Sequence, residues 1–517
     1  MKINWFMAKL SFFAIPLLLL PGLLLAQGNY VANSSNNSNT ATYGTFNTFV
    51  GPGAGTSGHV TGNRNAVLGY NAGISLTSAS FNSFYGVDAG EYTTTGSNNT
   101  FLGRAAGLSN STGSNNVFTG AFAGQSNTGG VSNVFMGTSA GYFNGTGAYN
   151  VFMGFDTGYF NQSGDYNVFI GYQAGYSNTN GSTNTFVGNI AGYSNDDGYN
   201  NVFIGDQSGY ANTRGIENLF MGNSSGHSNT TGRTNVFSGV RAGYFNTTAN
   251  NNVFTGCESG YKTTTGPNNV FMGTSAGYAN TTGANNTFMG YQAGLYNTIG
   301  NNNIIIGPRS GTAISTSDDN VLMGYNSQAT DGLQNAIAIG ANSRVAASNA
   351  MILGNQVNVG IGTSVPTNRL EVVSELSNTS GLTLTNLTDT SPTTRSTDQF
   401  LTVSETGEVV KARYLLRIKN EAEWSDKVFS PAYQLRSLPS VANYITQHGH
   451  LPGVPSATEL VKEGVDLVKM NATLLEKVEE LTLYSIQQQK ELEQLKQNHQ
   501  LEMDELKHLF NKLLKKK

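Results

Sequence analysis

Serines framed by glycines are the first residues in this sequence that could do chemistry. Gly137-Thr138-Ser139-Ala140-Gly141, Gly222 to Gly226 and Gly273 to Gly277 all fit Gly-x-Ser-x-Gly. A nucleophile elbow of that pattern needs a strand, a strained turn and then a helix, with a histidine and an acid nearby. Here both glycines belong to a repeat, and serine is one of several residues that fill its column. Gly51-Pro52-Gly53-Ala54-Gly55 is glycine-rich but lacks the following Lys and helix of a phosphate cradle. Asp156, Asp165, Asp196, Asp197 and Asp206 hold no fixed column, unlike the recurring Asp of calcium-binding β-rolls. His448 and His450 lack a third metal ligand. Cys257 is the only cysteine, which excludes an intrachain disulfide and a cysteine zinc site. These residues predict no catalytic, cofactor or metal site, and no enzyme.

The elements that carry them are set by a repeat. A glycine ends an Asn-x-Phe-x-Gly-like run every 17 residues from Gly86 to Gly324 without insertion, and the spacing then shortens to Gly340 and Gly354. Asn stands four residues before each glycine from Asn47 to Asn320, Phe two before in most units, and a second Gly recurs four after. Asn116, Phe118, Gly120 and Gly124 represent one unit, and Asn201, Phe203, Gly205 and Gly209 another. Tyr often follows the second Gly, as at Tyr142 and Tyr176, and a turn such as Asn280-Thr281-Thr282-Gly283 closes most units. A 17-residue unit is too short for a helix pair. Its short apolar segment, bounded by Asn and Gly, reads as a strand followed by turns.

Such units stack as coils of a parallel β-roll or solenoid, about 4.8 Å apart, so that roughly 17 coils make a rod of about 80 Å. Identical residues then lie above one another: Phe in an internal column, Asn in an amide ladder that satisfies turn backbone, and Gly at positive φ. In Val151-Phe152-Met153 and Val202-Phe203-Ile204 all three strand residues are apolar. Alternating side chains then predict burial on both faces. The second face would be covered by further copies of the chain, most simply three in all, or by another sheet of the same coil.

The run Asn335-Ala336-Ile337-Ala338-Ile339-Gly340-Ala341-Asn342-Ser343, with the next unit 14 residues on at Asn349 to Gly354, resembles the head repeats of trimeric autotransporter adhesins of the YadA type. The resemblance spans residues 47–354 and implies a trimeric, left-handed parallel β-roll. The 17-residue units are three residues longer than that family's, and no outer-membrane β-barrel anchor is recognised.

Composition agrees with a fibrous repeat. Of 517 residues 63 are Gly and 12% are charged, against about 25% charged in an ordinary soluble domain. The net charge of −4 gives no reason to expect nucleic acid or an anionic membrane as partner. Residues 1–26, with Lys2, Lys9 and an apolar run to Leu25, read as an export signal cleaved after Ala26, the alternative being a membrane anchor. No later apolar run is long enough to span a bilayer. Residues 27–46 are assigned as an N-terminal lead or cap.

Beyond Gly354 the register ends. Residues 355–410 read as a collar with short β segments, and 411–469 as a mixed α/β connector. Ser456-Ala457-Thr458-Glu459 is a capping box. Residues 470–517 read as a coiled coil whose core is Leu474, Val478, Leu481, Leu492, Leu495, Leu506, Leu509 and Leu513. The alternative is an amphipathic helix packed on its own domain. Trp424-Ser425-Asp426, His450-Leu451-Pro452 and Met470-Asn471-Ala472 resemble a C-terminal module related in position to the self-cleaving intramolecular chaperones of tail fibres. Those use a Lys five residues after the Ser, where this chain has Ser430. The resemblance implies nucleation of a trimer.

The expectation is a secreted or cell-surface adhesin: a rigid, homotrimeric stalk that attaches by many weak contacts to a protein or carbohydrate of a host or neighbouring cell. A tail-fibre-like receptor-binding protein and an ice-binding solenoid are the alternatives.

Overall fold

The computed structural model describes residues 30–32, 44–56, 59–376, 382, 385, 399–405, 408–413 and 425–515. The export signal, most of the lead segment and Trp424 lie outside the described residues. The chain divides into two units, Met1–Leu382 and Thr383–Lys517.

The first unit is a parallel β-solenoid. Its described residues place 20 strands in one sheet, from Tyr30–Ala32 to Ala350–Leu353, every pair parallel. Most strands have three residues, and most partners lie one 17-residue step on, as in Thr100↔Val117 and Val202↔Leu219, after two first steps of 18. Each coil bonds to both neighbours: the Val117 N–H donates to Asn133 O at 2.8 Å and the Gly120 N–H to Leu102 O at 2.8 Å. The stacked coils follow from a unit too short to bury anything alone, whose apolar centre is covered only by the units above and below.

Coil geometry changes where the sequence period does. Val321 pairs with Ile337, a step of 16, and Ala336 with Ala350, a step of 14. There Gln328 and Arg344 replace the second Gly of the unit, and a separate two-stranded pair forms, Gln328–Ala329 with Arg344–Val345. The collar contains a parallel pair, Val359–Ile361 with Leu370–Val372.

In the second unit Gln399–Val403 pairs antiparallel with Val409–Arg413. A 3-10 turn at Ser425–Phe429 precedes three helices: α1, Leu438–His448; α2, Ala457–Glu463; and α3, Leu467–Leu514. The α2 start has both bonds of its capping box. The Glu459 N–H donates to Ser456 Oγ at 3.2 Å, and the Ser456 N–H donates to Glu459 Oε2 at 2.8 Å. At α3 the Asp466 carboxylate accepts from the N–H groups of Val468 and Lys469. The helix has 48 residues, about 72 Å at 1.5 Å per residue.

One alternative is set aside. The strands are not buried on both faces within the chain. Phe152 is fully buried, but Met153 on the opposite face is exposed and Val151 half-buried. The coil has one interior, and no second sheet of the described residues covers the outer face. Side-chain alternation sends the middle residue of each strand inward and both its neighbours outward.

Candidate functional site

The repeat columns build the interior from residue type upward. The rings of Phe84 to Phe288, one per coil, are fully buried. They stack with centroids 4.7–4.9 Å apart and planes within 8°. Phe118 and Phe203 both stand in this column. Asn116 and Asn201 stand in the ladder beside it. The Asn201 N–H donates to Asn184 Oδ1 at 3.0 Å, Asn201 Nδ2 donates to Gly215 O at 2.8 Å, and its Oδ1 accepts the Asn218 N–H at 3.1 Å. Asn116 repeats this arrangement with Asn99, Gly130 and Asn133.

The two glycine columns are required for different reasons. Gly205 has φ +130°, and a Cβ there would lie 2.5 Å from Gly222 O; Gly120 meets Gly137 O in the same way. Gly209 and Gly124 sit near φ +59°, and a Cβ on either would enter the Phe ring of its own coil at 2.5 Å.

Sequence reasoning missed three features. The Asn of the closing turn is itself a buried ladder: Asn127 Nδ2 donates to Asn110 Oδ1 at 2.7 Å, and the chain of amides runs on to Asn246. It is interrupted at Thr263, and Asn246 Oδ1 is left without a hydrogen bond. The signal was present in the recurrence of Asn seven residues after the first Gly. Second, two further columns adopt left-handed backbone without glycine, as at Gln173, Ile190 and Gln207 and at Asn98, Asn251 and Asn268. Asn enrichment marks the latter column, whereas the former mixes Ser, Asp, Gln, Ile and Arg and carries no signal. Third, the small buried column holds Ala or Ser interchangeably. Each Ser hydroxyl donates to a strand carbonyl of the next coil, as from Ser225 Oγ to Phe237 O at 3.1 Å.

The elbow serines do not meet their geometry. Ser139, Ser224 and Ser275 occupy left-handed turn positions with φ 54–56°, followed by further turn rather than helix. Among the described residues no three His, Cys, Asp or Glu converge on a metal position. His448 and His450 have ring centroids 6.2 Å apart near Tyr444. Cys257 is exposed.

The surface offers two continuous features instead. One is largely aliphatic: the last residue of each strand points outward, giving a column that includes Leu102, Met136, Met153, Ile204, Met221 and Met289 and is broken by Thr119, Ser238 and Thr255. Met136 is 41% exposed and Leu102 49%. The other is aromatic. Tyr142, Tyr159, Tyr176, Tyr193, Tyr210, His227, Tyr244, Tyr261 and Tyr278 stack along the coils with centroids 4.7–5.4 Å apart. Burial pushes the phenols of Tyr159, Tyr176 and Tyr261 up and the His227 imidazole down. Beside them burial raises the Asp156 carboxyl against hydrogen bonds from Gln173 and Ser139. The neighbouring Thr column has no free donors to offer, since Thr213, Thr230, Thr247 and Thr264 each give their hydroxyl to a carbonyl of the next coil at 3.0–3.2 Å.

On α3 the eight heptad residues are all exposed, from Leu474 to Leu513. Another face of the same helix packs on its own unit. Lys427 Nζ lies 3.1 Å from Glu476 Oε2, Tyr433 hydrogen-bonds Glu476 at 3.3 Å and also Glu480, and Val428 is buried. Burial and the Glu480 carboxylate push the Tyr433 phenol up. One face of this helix therefore packs locally, while the heptad seam is unoccupied by described residues.

Comparison with protein-family models and with curated proteins finds no match. No helix of the described residues is long and apolar enough to cross a membrane.

Proposed function

We propose that this chain is an exported, non-enzymatic adhesin: a stiff repeat stalk related to the YadA-type heads, assembled as a homotrimer whose C-terminal module aligns the chains. The observation that carries the reading is the open aliphatic column on the outer face of the sheet. From Leu68 to Leu353 it runs 17 coil steps, roughly 80 Å at about 4.8 Å per coil and about 10 Å wide. That is about 800 Å² in all, interrupted by Thr119, Ser238 and Thr255 and close to the roughly 800 Å² per partner of a standard interface. Further copies of the chain meet it in register because every copy has the same coil rise.

The heptad seam of α3 supports the same stoichiometry from the other unit. Parallel pairing over long sequence separations is slow, and a coiled coil that forms first holds the chains together while coils zip up. Repeated columns supply many identical weak contacts, which gain avidity when presented together. The engagement of the Thr213, Thr230, Thr247 and Thr264 hydroxyls within the rod supports the adhesive reading over the ice-binding alternative.

Sedimentation of the full chain and of a chain ending at residue 410 tests the assembly. The expected outcome is a trimer for the first and aggregated or misfolded material for the second. A folded, soluble monomer in both refutes it. Attachment of the full chain to cells or matrix tests the adhesive role.

A further inference from the structure

We propose that the aromatic ladder from Tyr142 to Tyr278 is a docking track for an extended, uncharged, β-1,4-linked glycan, laid along the rod with about one sugar per coil. The proposal rests on the adhesive reading and names its ligand class.

Three observations carry it. The rings are nearly parallel, within 1–26°, yet their centroids stand 4.7–5.4 Å apart. Contacting ring planes lie about 3.5 Å apart, so the rings must be slipped over one another like shingles, the offset arrangement aromatic pairs prefer. Each half-buried ring therefore shows solvent its hydroxyl edge and a strip of its face. That combination suits a sugar, which presents C–H groups on its faces and hydroxyls at its rim.

Polar side chains line the ladder with the same period. The left-handed position three residues before each ring is polar at eight of the nine rings, as at Ser139, Asp156, Gln173, Gln207 and Ser224, and holds Ile190 before Tyr193. Asp156 lies close enough to Tyr159 and Tyr176 to act on their phenols, and Gln173 Nε2 donates to Asp156 Oδ2 at 3.5 Å. Carboxylate and amide groups beside an aromatic strip can hydrogen-bond sugar hydroxyls. The charges farther along offset each other, with Arg241 Nη1 3.3 Å from Glu258 Oε1, so the strip has no net field to draw a polyanion.

The axial period distinguishes a glycan from a peptide. An extended polypeptide presents side chains to one face every roughly 6.6 Å, and falls out of step with the rings within two coils. An extended β-1,4-linked glycan advances per sugar by close to the 4.7–5.4 Å between successive ring centroids and so keeps step over more coils than a peptide does.

The test uses the full chain with cellohexaose and chitohexaose, and an α-1,6-linked dextran fragment as a neutral glycan of different rise. Binding is read by isothermal titration calorimetry, with circular dichroism melting and sedimentation in parallel. The expected result is binding to at least one β-1,4-linked probe that strengthens with oligomer length, and none to dextran. The Tyr176→Ala/Tyr193→Ala/Tyr210→Ala variant should weaken it about tenfold or more. Should that variant fold poorly, Gln173→Gly/Gln207→Gly decides. Glycine suits the left-handed backbone at both positions, so this variant should keep its melting curve and assembly yet bind several-fold more weakly. Absence of binding to both β-1,4 probes, equal binding to dextran, or undiminished binding by a folded variant overturns the proposal. Attachment of the unsubstituted chain to whole cells is scored separately. Attachment without glycan binding removes the track and leaves the adhesin, whereas no attachment removes the adhesive reading itself.

Discussion

Replacing Phe203 by Ala perturbs the rod at a single rung. The ring is fully buried and stacked between Phe186 at 4.8 Å and Phe220 at 4.9 Å. Deleting a buried Phe side chain costs about 3–5 kcal/mol, within which each stacked pair accounts for about 0.5–1.5 kcal/mol. In a globular core that loss would spread over the whole domain. Here each coil touches only its neighbours, so stability is close to a sum of coil and interface contributions. The loss should concentrate at the strands Thr185–Val187, Val202–Ile204 and Leu219–Met221. Native-state hydrogen exchange of the full chain reads this directly. Protection at those strands should fall by roughly two to three and a half powers of ten, at about 1.4 kcal/mol per decade. Protection at Thr48–Val50, nine coils away, should be unchanged. Equal loss along the whole solenoid would refute the nearest-neighbour account. No loss at Val202–Ile204 would refute the view that the Phe column holds the coils together. Phe203→Leu should be milder, because the same column already accepts Leu322 and Ile305 in full burial.

Other perturbations follow from the same rungs. Gly205→Ala combines φ +130° with a Cβ 2.5 Å from Gly222 O, and should cost about 2–6 kcal/mol, read as a fall in the denaturation midpoint. Thr263→Asn should restore the missing rung of the second amide ladder, giving Asn246 Oδ1 a donor. It should stabilise by about 0.5–1.5 kcal/mol, seen as slower exchange in the coils on either side. At Asp331 burial acts to raise the carboxyl. Donors from the Ser315 hydroxyl and N–H, the Thr316 N–H and the Ser317 hydroxyl outweigh it and hold the group well below the usual carboxylate range. Its folded pKa being depressed, this contribution is complete above about pH 4, the ordinary Asp value, and is lost as pH falls further. Asp331→Asn should therefore remove part of the acid sensitivity of melting while leaving its neutral-pH shape intact.

Much of the solenoid could be read from the sequence because its columns are invariant in type. Phe at every second position before Gly, and Asn four before it, announce an inward ring and a buried amide without reference to any partner. The Asn110 to Asn246 ladder escaped notice because Asn in an Asn-Thr-Thr-Gly run is equally a turn residue, and only depth in the coil separates the two roles. The left-handed backbone at Gln173 and Ile190 was hidden for a different reason. The stack imposes it through bonds such as the Gln173 N–H to Phe155 O at 2.9 Å, and residue preference contributes nothing. What covers the outer strand face could not be read, because alternation reports which way Met153 points and is silent on what lies there. On α3 the heptad leucines marked the seam, whereas the contact of Glu476 and Glu480 with Tyr433 joins residues over 40 positions apart and leaves no local trace.

The unbroken 17-residue step also makes length a separable property of this molecule. Every coil bonds to an equivalent copy of itself, so adding or deleting a whole coil restores each ladder and moves the far end by about 4.8 Å. Inserting one or two residues would shift Phe off its neighbour, except in the outward turn after the second Asn, where Gly129 and Gly145 stand in place of Thr. The rod can thereby differ in length while its cross-section, and every surface along it, stays the same.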